Sequence, residues 1–365
     1  MKILAIDTSC DDTSVAIAED LNILANVFWS KMKLHAKWGG VVPHEARRQH
    51  KEFLDPAIKE VLEQSKLKIE DIDVFAVTYG PGLAIALEAG IAKAKELART
   101  QSKPLIGINH MIGHIYSNLT RDTSGDPYSG IKDFEFPLLA LTISGGHTDL
   151  YLMKDHLKFE QLGTTLDDAV GEAFDKVGRM LGMDFPAGAK VEETARNGDS
   201  NAYKFPRPLA DSDDYNWSYS GLKTSVLYEI KKLVGDYKHK AGKKTFKMDD
   251  LSKKLTQKQI NDLAASFQSA AIDSLLSKVL KAVKMYRPKM LVVGGGVIAN
   301  QTLRSTLEKS MEELGIPLYY PKPFWLCTDN AAMIATAAYF YAQQGLYLED
   351  PESLDRIPNL QIAPK

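Results

Sequence analysis

Cysteine is scarce: Cys10 and Cys327 are the only two in 365 residues. They lie far apart and form no metal-type pair. Their number argues against a disulfide framework and makes a reducing cytoplasm the expected setting. Long apolar runs are also missing. None approaches the roughly 18 residues of a membrane span, so no membrane association is expected. The first residues enter a strand pattern directly, without the layout of a signal peptide. Neither sign of charge dominates. The net charge of −2 gives no whole-molecule sign of nucleic acid binding, although a local patch is compatible with it. What is there, 44% hydrophobic and 25% charged residues, suits a soluble globular protein long enough for two domains.

Apolar runs and turns alternate along the chain. Lys2 to Asp7 reads as a strand, Thr8 to Thr13 as a polar turn, and Ser14 to Ala18 as the returning strand, with a third strand over Ile23 to Trp29. The loop Trp38 to Pro43 precedes a helix expected over Arg47 to Lys66, with Pro56 kinking it or delaying its start. A strand at Asp73–Thr78, the turn Tyr79–Gly82, a helix at Leu83–Gln101 and a strand at Pro104–Ile108 follow. Strand–turn–strand then returns at Pro137–Ile143, Ser144–His147 and Thr148–Met153. The return predicts two related halves, each with a hairpin whose tip can face phosphate. A third glycine turn, Gly294-Gly295-Gly296, lies between a buried strand and a helix starting near Asn300.

His110 and His114 stand four apart in a segment, His110 to Thr120, that reads as a helix. That spacing stacks two imidazoles on one face, where a single cation can be shared. It equally fits packing or capping residues. Met111 stands where a two-histidine protease motif needs glutamate. Asp329 precedes an alanine-rich helix over Ala331–Gln343, and reads either as that helix's cap or as a third ligand. Thr165 is expected to cap a helix with Asp168, Glu172 and Asp175 on one face. That face is either solvated or turned to a ribose or cation. Tyr215 to Ser225 is rich in aromatics and hydroxyls that stack on a base or pack inside. The lysines between Lys231 and Lys258 form a solvated face or a phosphate-backbone contact. Asn261 to Tyr286 reads as a long helix, and the chain after Gly345 as a surface tail.

Taken in order, several stretches resemble the universal tRNA threonylcarbamoyladenosine transferase family, bacterial TsaD type. They are Ile6–Thr13, Gly39–Pro43, Gly80–Leu83, Asn109–His114, Ser144–Thr148, Asp167–Lys176, Ser220–Thr224, Gly294–Val297 with Asn300, and Cys327–Ala332. Each is weak alone, and the ordered set is specific. Departures are Ile112 where an acid is frequent, Ala187-Gly188-Ala189 for Gly-Gly-Pro, Asp11-Asp12 for Asp-Glu, and Ile85-Ala86-Leu87 after the Gly82 turn.

The resemblance implies an α/β actin-like ATPase fold, of the Hsp70 and sugar-kinase class, with two duplicated halves around a cleft. The halves are expected at 1–130, completed by the C-terminal helix, and at 131–345 with a lysine-rich helical insertion near 231–258; residues 346–365 form the tail. It implies transfer of a threonylcarbamoyl group from threonylcarbamoyl-AMP to N6 of adenine 37 in tRNAs reading codons that start with A. His110, His114 and Asp329 would hold one divalent metal, iron (Fe2+) or zinc. Thr142, Ile143, Ser144, Gly145, Gly146, Asp175, Gly188 and Asn300 would hold the adenylate, and ATP or ADP with Mg2+ is a further nucleotide to expect. Asp11 would face the phosphate region as the catalytic carboxylate. Expected partners are tRNA, a TsaB-type paralogue and a TsaE-type ATPase subunit in a hetero-oligomer. Rival functions on the same residues are an ATPase or sugar kinase, a silent scaffold, and a metalloprotease.

Overall fold

A computed structural model describes residues 1–30, 43–235 and 251–362. The predicted loop at Trp38–Val42 and the lysines Lys238, Lys240, Lys243, Lys244 and Lys247 lie outside these. Two five-stranded sheets carry the molecule. The first has the order β3-β2-β1-β4-β5, from β1 (Lys2–Asp7), β2 (Thr13–Glu19), β3 (Asn22–Trp29), β4 (Val74–Gly80) and β5 (Leu105–Asn109). The second has the order β10-β9-β6-β7-β8, from β6 (Leu138–Ile143), β7 (Thr148–Asp155), β8 (Lys158–Thr164), β9 (Leu291–Gly294) and β10 (Leu318–Tyr319). In each, the first strand runs antiparallel to the second and parallel to the fourth. This is the predicted duplication, with the same pairing in both halves. The sequence reading passed over β8, whose exposed Lys158 and Glu160 mark a charged edge.

The helices are α1 (Pro43–Ser65), α2 (Ala84–Gln101), α3 (His110–Tyr116), α4 (Val170–Met180), α5 (Gly188–Ala195), α6 (Ser220–Leu233), α7 (Gln257–Tyr286), α8 (Gln301–Leu314), α9 (Phe324–Cys327) and α10 (Ala331–Gln343). Helix α1 starts before the expected Arg47 and runs through Pro56. Helix α3 is shorter than expected and ends in a 3-10 turn, Ser117–Leu119.

Three apolar cores follow. One joins the first sheet to α1 and α2 through residues such as Leu4, Leu54 and Leu87. Another joins the second sheet to α4, α6, α7 and α8 through Leu141, Phe174, Leu222, Phe267 and Leu303. The third contains strands of both sheets, Ile3 and Ala5 with Leu138 and Ala140, together with α3 and α10. Alanines at 331, 332, 335, 337 and 338 are buried on α10. Gly113 on α3 lies so close that a Cβ would stand 2.8 Å from the Ile334 Cδ1. Small side chains on both helices thus let them pack closely in the central core.

The tail returns from the second half to the first. Leu348 N donates to Leu105 O, Leu354 is buried beside the first sheet's core, and Ile357 N donates to Tyr79 O. It is therefore anchored, where the sequence suggested a surface run.

Candidate metal centre and adjoining cavity

Helix α3 starts at His110 because Asn109 ends β5 and caps the turn: its side-chain oxygen accepts from Met111 N at 2.9 Å and Ile112 N at 3.4 Å. One turn separates His110 from His114, and their rings lie 4.7 Å apart, edge to face. Asp329 does not cap α10. Asn330 does, accepting from Met333 N at 3.0 Å while its amide donates to Trp325 O and Thr328 O. Asp329 is thereby left to turn towards α3. Its Oδ1 lies 3.3 Å from His110 Nε2 and 3.1 Å from His114 Nε2.

These distances fit a metal. Nitrogen and oxygen ligands bound at about 2.1 Å to one tetrahedral or octahedral ion stand roughly 2.9–3.4 Å from one another. Among the described residues, these three form the cluster that could hold an ion, their ligand atoms all within 4.8 Å of one another. Both histidines are buried. Burial works against a charge on His110, yet Asp329 and Asp7 outweigh it and push its pKa up to about 10. Asp7 Oδ2 lies 3.5 Å from His110 Nδ1. Burial also opposes ionisation of Asp329, but His110 and His114 hold its carboxyl well below the usual range. Burial lowers His114. Two imidazoles and a carboxylate converging on one point favour positive charge there, which a divalent cation would supply. The donor set therefore fits a divalent metal.

The ligands open into a cleft cavity of ≈ 690 Å³. Its walls come from both hairpin tips, the Gly80–Gly82 turn and α4, and include Ser9, Asp12, His110, Ser144, His147 and Asp175. Asp12, rather than Asp11, lines it. Burial and the neighbouring Asp11 raise Asp12 to about 7. Beside it lies a more apolar cavity of ≈ 320 Å³, lined by Gly145, Phe174, Asp175, Gly188, Val297, Asn300 and Phe324, among others. Asp175 touches both, and its Oδ1 accepts from Ala187 N and Gly188 N at 2.7 and 3.0 Å. Asn300 caps α8 through Leu303 N and donates to Gln268 Oε1.

Gly295 requires its glycine: its φ is +96° and a Cβ would meet Ile143 O at 2.4 Å. Thus Ser144, Gly145, Gly146, Asp175, Gly188 and Asn300 come together at the two cavities. Thr142 and Ile143 are wholly buried in β6 and support the tip without lining either cavity.

Other expectations are corrected. Helix α4 begins at Val170 after Ala169, so Thr165 is no cap and Asp168 is not on its face. Thr165 Oγ1 instead donates to Asp168 O, and Asp168 pairs with Lys176 and Lys223. Trp217 and Tyr219 are buried, so the aromatic loop packs inside. Residues that the sequence reading left without a role include Asp7, Asp12 and His147. The signal for the first was its place at the C-terminal end of β1, level with the site.

A family model described as TsaD, tRNA N6-adenosine threonylcarbamoyltransferase, matches residues 22–336. The chain belongs to this family. A relative of that name in Kosmotoga olearia is 43% identical over 363 residues, covering 100% of this chain and 99% of the relative. Another in Thermosipho africanus is 42% identical, covering 99% and 100%. Solved structures share the actin-like fold at low identity. HypF of T. kodakarensis aligns with TM-score 0.59 at 12% identity, covering 94% of this chain and 48% of its own. Component A of (R)-2-hydroxyglutaryl-CoA dehydratase from Acidaminococcus fermentans aligns with TM-score 0.51 at 15% identity, covering 94% and 99%. The TsaD-family chain is thus an α/β protein of that fold, with the His-His-Asp cluster at its cleft. No helix among its described residues is long and apolar enough to cross a membrane.

Proposed function

We propose that this TsaD-family enzyme transfers the threonylcarbamoyl group of threonylcarbamoyl-AMP to N6 of adenine 37 in tRNAs that read codons starting with A. The convergence of His110, His114 and Asp329 beside a nucleotide-sized cavity carries the reading. These three residues would hold a divalent metal, iron or zinc. Such a cation would supply Lewis-acid polarisation of the carbamoyl carbonyl.

The chain's own groups do the rest. The ≈ 320 Å³ cavity takes the adenine between Phe174, Val297 and the Gly188 backbone. Asp175 and Asn300 supply polar contacts to the adenosine. The Ser144–Gly146 tip receives the phosphate, and the opposite tip, which lines the cleft with Asp12 where Asp11 was expected, orients it. ATP or ADP with Mg2+ would use the same pocket. The adenine N6 forms a bond to the carbamoyl carbon, the bond from that carbon to the phosphate oxygen breaks, AMP leaves and N6 loses a proton. The acceptor base must first leave its stack to enter the cleft.

Family membership supports tRNA as the substrate. A TsaB-type paralogue and a TsaE-type ATPase as partners, a hetero-oligomer and a cytoplasmic setting complete the proposal. The test is His110→Ala, assayed for transfer of labelled threonylcarbamoyl to tRNA with its partners present. Loss of transfer with an unchanged circular dichroism spectrum is expected; unchanged transfer would refute the metal's role.

A further inference from the structure

Of the two readings open for the aromatic loop, packing holds for Trp217 and Tyr219, and exposed aromatics lie elsewhere. Helix α9 presents Phe324 at 63% and Trp325 at 36% exposure, side by side. The other two residues of that turn, Leu326 and Cys327, are buried and anchor it. Cys327 Sγ donates to Pro321 O at 3.1 Å, and Asn330 and Thr328 side chains donate to Trp325 O, both at 3.2 Å. The turn is therefore pinned from below while its outer face carries two rings. Tyr128 supports Trp325 edge to face, with centroids 5.7 Å apart. Phe324 also borders the nucleotide cavity, and Asp329 follows two residues after the helix. Lys322 stands exposed just before it.

We propose that Phe324 and Trp325 form a stacking platform for an unstacked nucleobase of the RNA loop that delivers the acceptor adenosine. The proposal rests on the tRNA reading above and adds the surface that receives the loop. Single-stranded RNA loops are held by stacking splayed bases on aromatic faces, and each such base contributes about 1–3 kcal/mol. A base flanking the acceptor must unstack when that adenosine enters the cleft. It needs a new π-face near the cleft mouth, and this turn is continuous with the mouth. Pre-fixing the rings lowers the ordering cost on binding. Lys322 adds a positive charge suited to the neighbouring phosphodiester.

Trp325 does not line either cavity, so it separates RNA binding from adenylate binding. The experiment measures affinity for a full tRNA and its salt dependence, for the wild type and for Trp325→Phe, Trp325→Leu and Trp325→Ala. The KM for the adenylate is followed in parallel. Stacking predicts that Trp325→Ala and Trp325→Leu weaken tRNA binding by roughly 5- to 150-fold. The salt slope and adenylate KM stay unchanged, and Trp325→Phe remains within about threefold of the wild type.

Three results would overturn the proposal. They are unchanged affinity in Trp325→Ala, retained affinity in Trp325→Leu (which marks a plain apolar contact such as a protein partner), and a loss matched by raised adenylate KM. If the wild type itself bound no tRNA, the functional reading would fail instead, so the two failures are distinct.

Discussion

At the scale of single residues, the site depends on neighbours that touch no ligand. Gly294 ends β9, and a Cβ there would stand 2.2 Å from the carbonyl oxygen of His114. Gly294→Ala must push α3 or β9 aside. It should destabilise the fold by about 1–3 kcal/mol and weaken divalent-metal retention at least tenfold, read by chelator competition. Asp168 offers a second test. Burial disfavours its carboxylate, and Lys176 and Lys223 more than offset that, so its pKa lies below the ordinary value. A lowered carboxylate pKa stabilises the fold above the unfolded value, about 3.9, and the gain is lost as pH falls through the folded one. Urea denaturation should show Asp168→Asn about 1–3 kcal/mol less stable at neutral pH, with the gap closing in strong acid. A gap that persists there would contradict the pairing.

At the scale of elements, two caps, Asn109 at α3 and Asn330 at α10, aim the candidate ligands. Asn330 accepts from Met333 N and donates to Trp325 O and Thr328 O, which fixes the turn that carries Asp329. Asn330→Ala should cost about 0.5–2 kcal/mol through the cap and also release metal. Asn330→Asp keeps the cap acceptor and loses the two amide donations, so it should retain most stability while still loosening the metal. Metal affinity as high as the wild type's in both variants would show that the turn does not position Asp329.

Elements with strong local patterns were legible in the sequence. The duplicated hairpins are apolar runs broken by small polar tips, and α3, α7 and α10 show clear helical patterns. What was not legible depended on distant contacts. Asp329 and Asn330 are equally good caps by residue type, and only the packing of α10 against α3 decides which one caps. Likewise Asp167 accepts from the backbone and hydroxyls of Ser218 to Ser220 at the start of α6, partners 51 to 53 residues away in sequence. Edge strand β8 has half-polar residues that periodicity alone does not separate from a loop.

At the scale of the molecule, the helix that carries His110 and His114 and the helix that follows Asp329 both lie in the core shared by both sheets. The cleft is thus held from inside, and the tail holds part of it from outside. Pro358 O accepts from Gly82 N, and Leu83 N donates to Ser9 O, which links the tail to the turn and the turn to the first hairpin tip. Truncation after Gly345 removes the Pro358 bond to the turn, the bonds of Leu348 and Ile357 to the first sheet, and the burial of Leu354. It should lower stability by about 2–5 kcal/mol in thermal or urea unfolding, and it should reduce transfer activity further than the loss of folded protein explains.

The central claim is that one cation is held by two imidazoles from the first half of the chain and a carboxylate near its end. Elemental analysis of the purified full-length protein, set against His114→Ala and Asp329→Asn after dialysis, tests it most directly. About one divalent ion per chain in the wild type and a small fraction of that in both folded variants is the predicted result. Equal metal content in Asp329→Asn and the wild type would contradict it.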